Sequence, residues 1–216
     1  MIFIFCTQRD FFLYLKNYTK MIVMVIKEPN RITIFFTKLR QTLFRPYYKR
    51  YVKSLKIKAN EKVIDFGSNT GYMTRYIVEK LVGREAHLTC VDISETWIAI
   101  SKQHLKDFEN VDYQVGDITK LNISDNFYDR VIVHFVLHEI SPSKRKDILQ
   151  TLVAKLKTGG RLYLREPTVS WHGIAKTEIQ KLVQQVNLNV IQTTHGLSRL
   201  VVPTFTGIFK KEGKNE

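Results

Sequence analysis

The sequence predicts an α/β fold: a mostly parallel seven-stranded sheet with helices on both faces and an antiparallel hairpin near its C-terminal end. Three observations carry that expectation. Short apolar, β-rich runs alternate with helical patterns through most of the chain. The first three runs end in acids: Asp65, Asp92, and Asp117 after Gly116. Lys62 to Tyr72, KVIDFGSNTGY, sets a turn with Gly67 and Gly71 between the first run and a helical pattern from Met73 to Leu81. Strand, glycine-bearing turn and helix in that order make the opening unit of a doubly wound sheet.

The elements follow in order. Residues 1–30 carry three apolar clusters, MIFIF, FFLYL and MIVMVI, broken by Arg9, Asp10, Lys16 and Lys20. None reaches the roughly 18–20 apolar residues that span a bilayer. With no basic stretch ahead of the first cluster and no small-residue cleavage site, a secretory signal is not expected. The segment reads as a poorly ordered extension, an added packing element, or translation upstream of a start at Met21 or Met24. Glu28-Pro29-Asn30 is a break. Residues 31–60 read as an amphipathic basic helical lid. Phe35, Leu39 and Leu43 recur at helical spacing, and Pro46 then suits the first turn of a new helix. Tyr47, Tyr48, Tyr51, Val52 and Leu55 form one stripe of that helix, with Lys49, Arg50, Lys53 and Lys56 on the other side.

Residues 61–216 form the main domain. His87–Val91 is the second strand, followed by a helix from about Glu95 that Ser94 caps. Val111–Val115 is the third strand and VIVHFV, from Val131, the fourth. Ser143 is expected to cap a helix lined by Ile148, Leu149, Leu152, Val153 and Leu156, which Gly159-Gly160 should stop. Arg161–Arg165 is the fifth strand. A helix from about Lys176 to Val186 follows, and Asn189–Thr194 and Thr204–Lys210 close the sheet as a hairpin.

The ligand follows from what the turn lacks. A dinucleotide fingerprint needs glycine at 69 and 72, where this chain has Asn69 and Tyr72. Asp65, just before the turn, would repel a pyrophosphate. A carboxylate there suits a ligand with cationic groups. The stretch resembles the first motif of class I S-adenosylmethionine-dependent methyltransferases, with Asn-Thr-Gly in place of the commoner Gly-x-Gly. The cofactor of that family carries an ammonium and a sulfonium and no phosphate, in agreement with the acid.

The resemblance covers about residues 53–211 and implies a Rossmann-like class I methyltransferase fold that binds S-adenosyl-L-methionine. Asp65, Gly67, Asn69 and Gly71 would form its first contact. Asp92, 27 positions after Asp65, would accept from both ribose hydroxyls with its two oxygens, with Ile93 beside it. The resemblance gives Asp117 the adenine amine and Ile118 the adenine face. It also places His134, at the end of the fourth strand, next to the methyl-transfer centre. By position, His138 and Glu139 after strand four and Glu166 after strand five are the catalytic candidates, with His172 on the next loop. A base helps when the acceptor is a hydroxyl, thiol or activated carbon.

Composition sets the remaining bounds. The chain has 216 residues, 44% hydrophobic and 25% charged, an ordinary globular composition. Cys6 and Cys90 are its two cysteines. They give neither a disulfide framework nor a metal-binding spacing, so no metal is expected and a cytoplasmic setting is. The net charge of +14 is uneven: residues 1–60 hold 13 Lys and Arg against 2 Asp and Glu, leaving 21 against 18 for the rest. The basic N-terminal region therefore suggests peripheral membrane contact and leaves nucleic acid open as a partner. Neither an Asn-Pro-Pro-Tyr element nor a Pro-Cys nucleophile occurs, which argues against methylation of DNA bases. A small-molecule acceptor is the expectation, and the fourth-strand pattern resembles that of quinone-type methyltransferases. The alternatives are an RNA or protein methyltransferase guided by the basic helix, and a non-catalytic cofactor-binding subunit.

Overall fold

The structure, a computed structural model, describes residues 28–197 and 202–213. The expectations for residues 1–27 lie outside them. Two helices, α1 (Arg31–Leu43) and α2 (Arg45–Leu55), precede the sheet. Then come β1 (Lys62–Phe66), α3 (Tyr72–Val78), β2 (His87–Asp92), α4 (Glu95–His104), β3 (Val111–Val115) and β4 (Tyr128–His134). A one-turn 3₁₀ segment, Leu137–Glu139, leads to α5 (Pro142–Lys155), β5 (Leu156–Pro167), α6 (Lys176–Gln185), β6 (Leu188–Leu197) and β7 (Pro203–Lys211).

The seven strands form one sheet in the order β3-β2-β1-β4-β5-β7-β6. β1 to β5 are parallel, and β7 runs antiparallel between β5 and β6. β1 has β2 on one side and β4 on the other, so the chain reverses its direction of travel across the sheet between β1 and β4. In open α/β sheets the ligand cleft opens beyond the strand C-termini at such a point.

Strands buried on both faces need apolar residues at successive positions, and β4 supplies them. Val131 and Val133 face one apolar cluster with Ile64, Leu149, Leu152, Leu162 and Ile179. Ile132 between them faces the other, with Val63, Leu88, Ile77, Ile98, Tyr51 and Leu55. Complete burial of each such side chain contributes about 1.5–3 kcal/mol. α5 and α6 cover the first face; α2, α3 and α4 cover the second.

Arg130 ties the lid helix to this sheet. From within β4 its guanidinium donates to Glu61, to the carbonyls of Leu55 and Lys56 at the end of α2, and to the Tyr163 hydroxyl.

Two local expectations are corrected, and one further feature of α1 emerges. α5 starts at Pro142, so its N-cap is Ser141, and Ser143 lies inside the helix. Proline's fixed φ suits the first helical position and sets that boundary. The Gly159-Gly160 pair does not stop the helix. α5 ends at Lys155 because Leu156 turns extended and is fully buried against the sheet. The glycines sit inside β5, where Gly159 takes φ +80° and the register against β4 shifts between Tyr128 and Arg130. The apolar stripe of α1 also faces out: Ile32, Phe35, Leu39 and Leu43 are exposed, and the buried residue of α1 is Gln41. No helix among the described residues is long and apolar enough to cross a membrane.

Candidate active site

The site is built where β1, β2 and β4 end. After Phe66 the backbone N–H groups of Gly67 and Ser68 both donate to the Val91 carbonyl, tying the turn to β2. Gly67 takes φ +76°, and a Cβ there would lie 2.4 Å from a methyl of Val136. The chain leaving β4 therefore rests directly on the glycine turn. Gly71, at φ +72°, starts α3 so close to Ser101 that a Cβ would lie 2.6 Å from its hydroxyl oxygen. Only glycine meets both demands, a left-handed backbone and no side chain.

Two carboxylates flank the turn. Asp65 is buried and accepts one bond, from the Thr74 hydroxyl at 2.6 Å. Burial pushes its carboxyl up to about 7, and nearby Asp92 adds to the rise. Asp92 accepts from the Asn69 N–H at 2.8 Å through one oxygen and from the Ser94 N–H at 3.1 Å through the other. Burial raises its carboxyl too. Ile93, next in the chain, is exposed. Asn69, at φ 50°, uses its side-chain oxygen to hold the Thr70 N–H. Gln41 of α1 bonds to both Asn69 and Thr70, so α1 grips the turn from outside.

Asp117 lies after β3. Bonds from the backbone and hydroxyl of Thr119 to one oxygen hold its carboxyl below the usual range. Ile118 departs from expectation. It is 1% exposed within the sheet core, so protein already covers the surface it was expected to offer an adenine ring.

His134 ends β4 beneath α2. Its Nε2 lies 3.3 Å from the Tyr47 hydroxyl, and its ring packs against Tyr47, Tyr48 and Tyr51. The Arg165 guanidinium lies over the Tyr47 and Tyr51 rings, 5.1 and 4.8 Å from their centres. Burial and the Arg165 charge press the imidazole down to about 3, so His134 is neutral.

The three catalytic candidates come together. His138 Nδ1 lies 2.7 Å from Glu166 and its Nε2 lies 3.3 Å from Glu139. His172 Nε2 lies 3.6 Å from the same Glu139 oxygen. Burial works against a charge on His138, but the bonds to Glu139 and Glu166 outweigh it and hold the imidazole up at about 9. Bonds from His138 and His172 likewise outweigh burial at Glu139 and bring its carboxyl down to about 2. Glu166 is fully buried and also accepts from the N–H groups of Val136, Leu137 and, at 3.4 Å, His138. It is a positioning residue for the turn after β4, not a free base.

Local sequence pattern did not reveal Gln41, Val136 or Arg165 as parts of this region. Their places depend on long-range packing. Glu28 is a fourth such residue: its carboxylate accepts from the Ser94 hydroxyl and from the Glu95 and Thr96 N–H groups at the start of α4.

The donor set fits S-adenosylmethionine and not a dinucleotide. Asp65 is a buried carboxylate with a single hydroxyl partner, a place that gains from a cationic group. Asp92 keeps acceptor capacity on both oxygens for a diol. A pyrophosphate would meet two acids.

Comparison with known proteins agrees. The family described as "Methyltransferase domain" matches residues 63–160. The ubiquinone/menaquinone biosynthesis C-methyltransferase of Pseudomonas fluorescens is 30% identical over 123 residues, 55% of this chain and 47% of that protein. A carboxy-S-adenosyl-L-methionine synthase of Shewanella loihica is 28% identical over 149 residues, 68% of this chain and 58% of that protein. The chain thus spans about half the length of the curated relatives it matches. Among solved structures, the 1,6-didemethyltoxoflavin-N1-methyltransferase of Burkholderia thailandensis, with S-adenosylhomocysteine bound, superposes with a TM-score of 0.67. That match has 13% identity and covers 99% of this chain and 94% of that one, a likeness of fold. With the glycine turn, the three strand-end acids and the sheet order in place, residues 63–160 match the methyltransferase-domain family, on the fold seen in solved S-adenosylmethionine-dependent methyltransferases.

Proposed function

We propose that this protein transfers a methyl group from S-adenosylmethionine to a small-molecule acceptor. The carrying observation is that Asp65, Asp92 and Asp117 stand at the ends of three adjacent parallel strands around one glycine turn. Asp65 and the turn would hold the amino-acid end, Asp92 with Ile93 the ribose, and Asp117 the adenine amine. The cofactor supplies an activated methyl on a sulfonium that is its own leaving group, so the protein's work is positioning.

The residues of this chain divide that work. α2 seats Tyr47 and Tyr51 over the end of β4 and helps exclude water. His134, held neutral there, forms part of the wall. His138, with Nδ1 held by Glu166 and Nε2 facing Glu139, fixes the turn after β4 beside the cleft rather than acting as a base. The small-molecule reading is supported by the resemblance to quinone-type enzymes and by the acceptors named for the relatives.

The test is label transfer. Isotopically labelled S-adenosylmethionine is supplied with separate small-molecule, RNA and protein fractions of a cell extract. Label in the small-molecule fraction is expected; label confined to RNA or protein overturns the acceptor class.

The exposed apolar stripe of α1 and the exposed Lys49, Arg50 and Lys53 of α2, with Lys56 just past its end, support peripheral contact with an anionic membrane. Replacing those four with Gln should weaken sedimentation with anionic vesicles by about 1 kcal/mol per charge near the surface. Unchanged, salt-independent sedimentation would make them a solvated face only.

A further inference from the structure

We propose that His138, Glu139 and His172 form a binding site for a divalent zinc-type cation, with Glu166 as its orienting carboxylate. Each of the three offers one ligand atom, and these atoms lie within 4.8 Å of one another.

The spacings match the ion's geometry. A tetrahedral zinc with bonds of about 2.0–2.1 Å separates its ligand atoms by about 3.3–3.4 Å. Glu139 Oε1 is 3.3 Å from His138 Nε2 and 3.6 Å from His172 Nε2. Two edges of the tetrahedron are thus near their final lengths. The edge between the two imidazoles is the one that closes on binding.

A second, independent feature supports the ligand role. Metal-binding histidines usually give their other ring N–H to a carboxylate or carbonyl, which fixes tautomer and ring plane. His138 does this: Nδ1 is 2.7 Å from Glu166. Glu166 is itself immobilised by the Val136 and Leu137 N–H groups at 2.9 and 2.7 Å. This leaves Nε2 to face Glu139. The His172 ring is set by Trp171, stacked at 17°, and stands at 89° to the His138 ring with centres 4.7 Å apart.

Two imidazoles and one carboxylate suit zinc, cobalt or nickel rather than magnesium or calcium, which prefer oxygen alone. Three protein ligands leave a fourth position for water or an oxygen of a small molecule. His138 and Glu139 come from the 3₁₀ segment after β4 and His172 from the stretch after β5, 33 positions further along the sequence. That is why no metal spacing is visible in the chain.

The paired charges alone offer a simpler account, an imidazolium bridging two carboxylates. Direct binding separates the two. Protein made without a histidine tag and stripped with a chelator is titrated with zinc against a chromophoric chelator, and separately with cobalt. Neither cofactor nor acceptor is present, so failure here leaves the methyltransferase reading untouched. About one zinc per chain is expected, together with the strong visible absorption of tetrahedral cobalt. His172→Ala, at a partly exposed position, and Glu139→Gln, at the exposed end of the 3₁₀ segment, should weaken zinc by about a hundredfold and abolish the cobalt band. Glu166→Gln should weaken it by about 10- to 100-fold. Circular dichroism and the thermal midpoint confirm that each variant is folded. Less than half an equivalent of zinc on the unsubstituted protein, or equal affinity in folded His172→Ala and Glu139→Gln, overturns the site.

Discussion

Asp92→Ala should cost far more cofactor affinity than Asp117→Ala, and the structure sets the ratio. A carboxylate offers about four acceptor sites. Asp92 uses one on each oxygen for the Asn69 and Ser94 N–H groups. One site therefore remains on each oxygen, the arrangement two vicinal hydroxyls require. Bonds to a charged acceptor contribute about 1.5–3 kcal/mol each. Removing two at the lower figure costs about 3 kcal/mol, roughly 150-fold in Kd. Asp117 spends one oxygen on Thr119 twice and would give the adenine amine one bond, a loss of roughly tenfold. Isothermal calorimetry with S-adenosylmethionine at fixed salt measures both. Thermal midpoints run alongside, because Asp92→Ala also leaves two backbone donors without an acceptor. Asp92→Asn, keeping one acceptor oxygen, should fall between. Equal losses, or a larger one at Asp117, would refute the assignment.

Three further outcomes follow. Burial puts Asp65 at about 7, so a cationic cofactor should bind about tenfold tighter at pH 8 than at pH 6, where about one tenth of the carboxyl is ionised. The sign reverses for the free protein, since a raised acid pKa contributes a stability loss as pH climbs from about 4 to about 7; a flat calorimetric pH profile contradicts this. Arg130→Ala should destabilise the protein by about 3–5 kcal/mol in chemical denaturation, since it strands Glu61 and frees the end of α2; a change under 1 kcal/mol would show that the pairing is incidental. A chain starting at Met24 should fold and bind cofactor, while one starting at Asn30 lacks Glu28 and should show a lower thermal midpoint and weaker binding. Identical behaviour of the two would remove Glu28 from the account.

Much of this fold was legible in the sequence because β1, β2 and β4 are buried on both faces and announce themselves as apolar runs, while the more exposed β3 and β6 show through their β-branched and aromatic residues and the breaks around them. β2, β3 and the closing hairpin fall within a few residues of expectation, as does the helix from Lys176. The acids at strand ends were legible for the same reason: position along a strand fixes position in the cleft. What was not legible depends on partners distant in the chain. Nothing local says that Gln41, on a helix with an apolar stripe, turns inward to grip Asn69 and Thr70. Nothing local buries Ile118 under the sheet core, or fills Glu166 with three backbone donors and an imidazole. The Gly159-Gly160 pair misled because burial of Leu156 outweighed the helix-stopping tendency of glycine.

The most direct test of the central claim is competitive binding at the glycine turn. Calorimetry with S-adenosylmethionine, S-adenosylhomocysteine and NAD should show one-to-one binding of the first two at micromolar strength and no heat from NAD. Binding of NAD, with silence from S-adenosylmethionine at millimolar concentration, would contradict it.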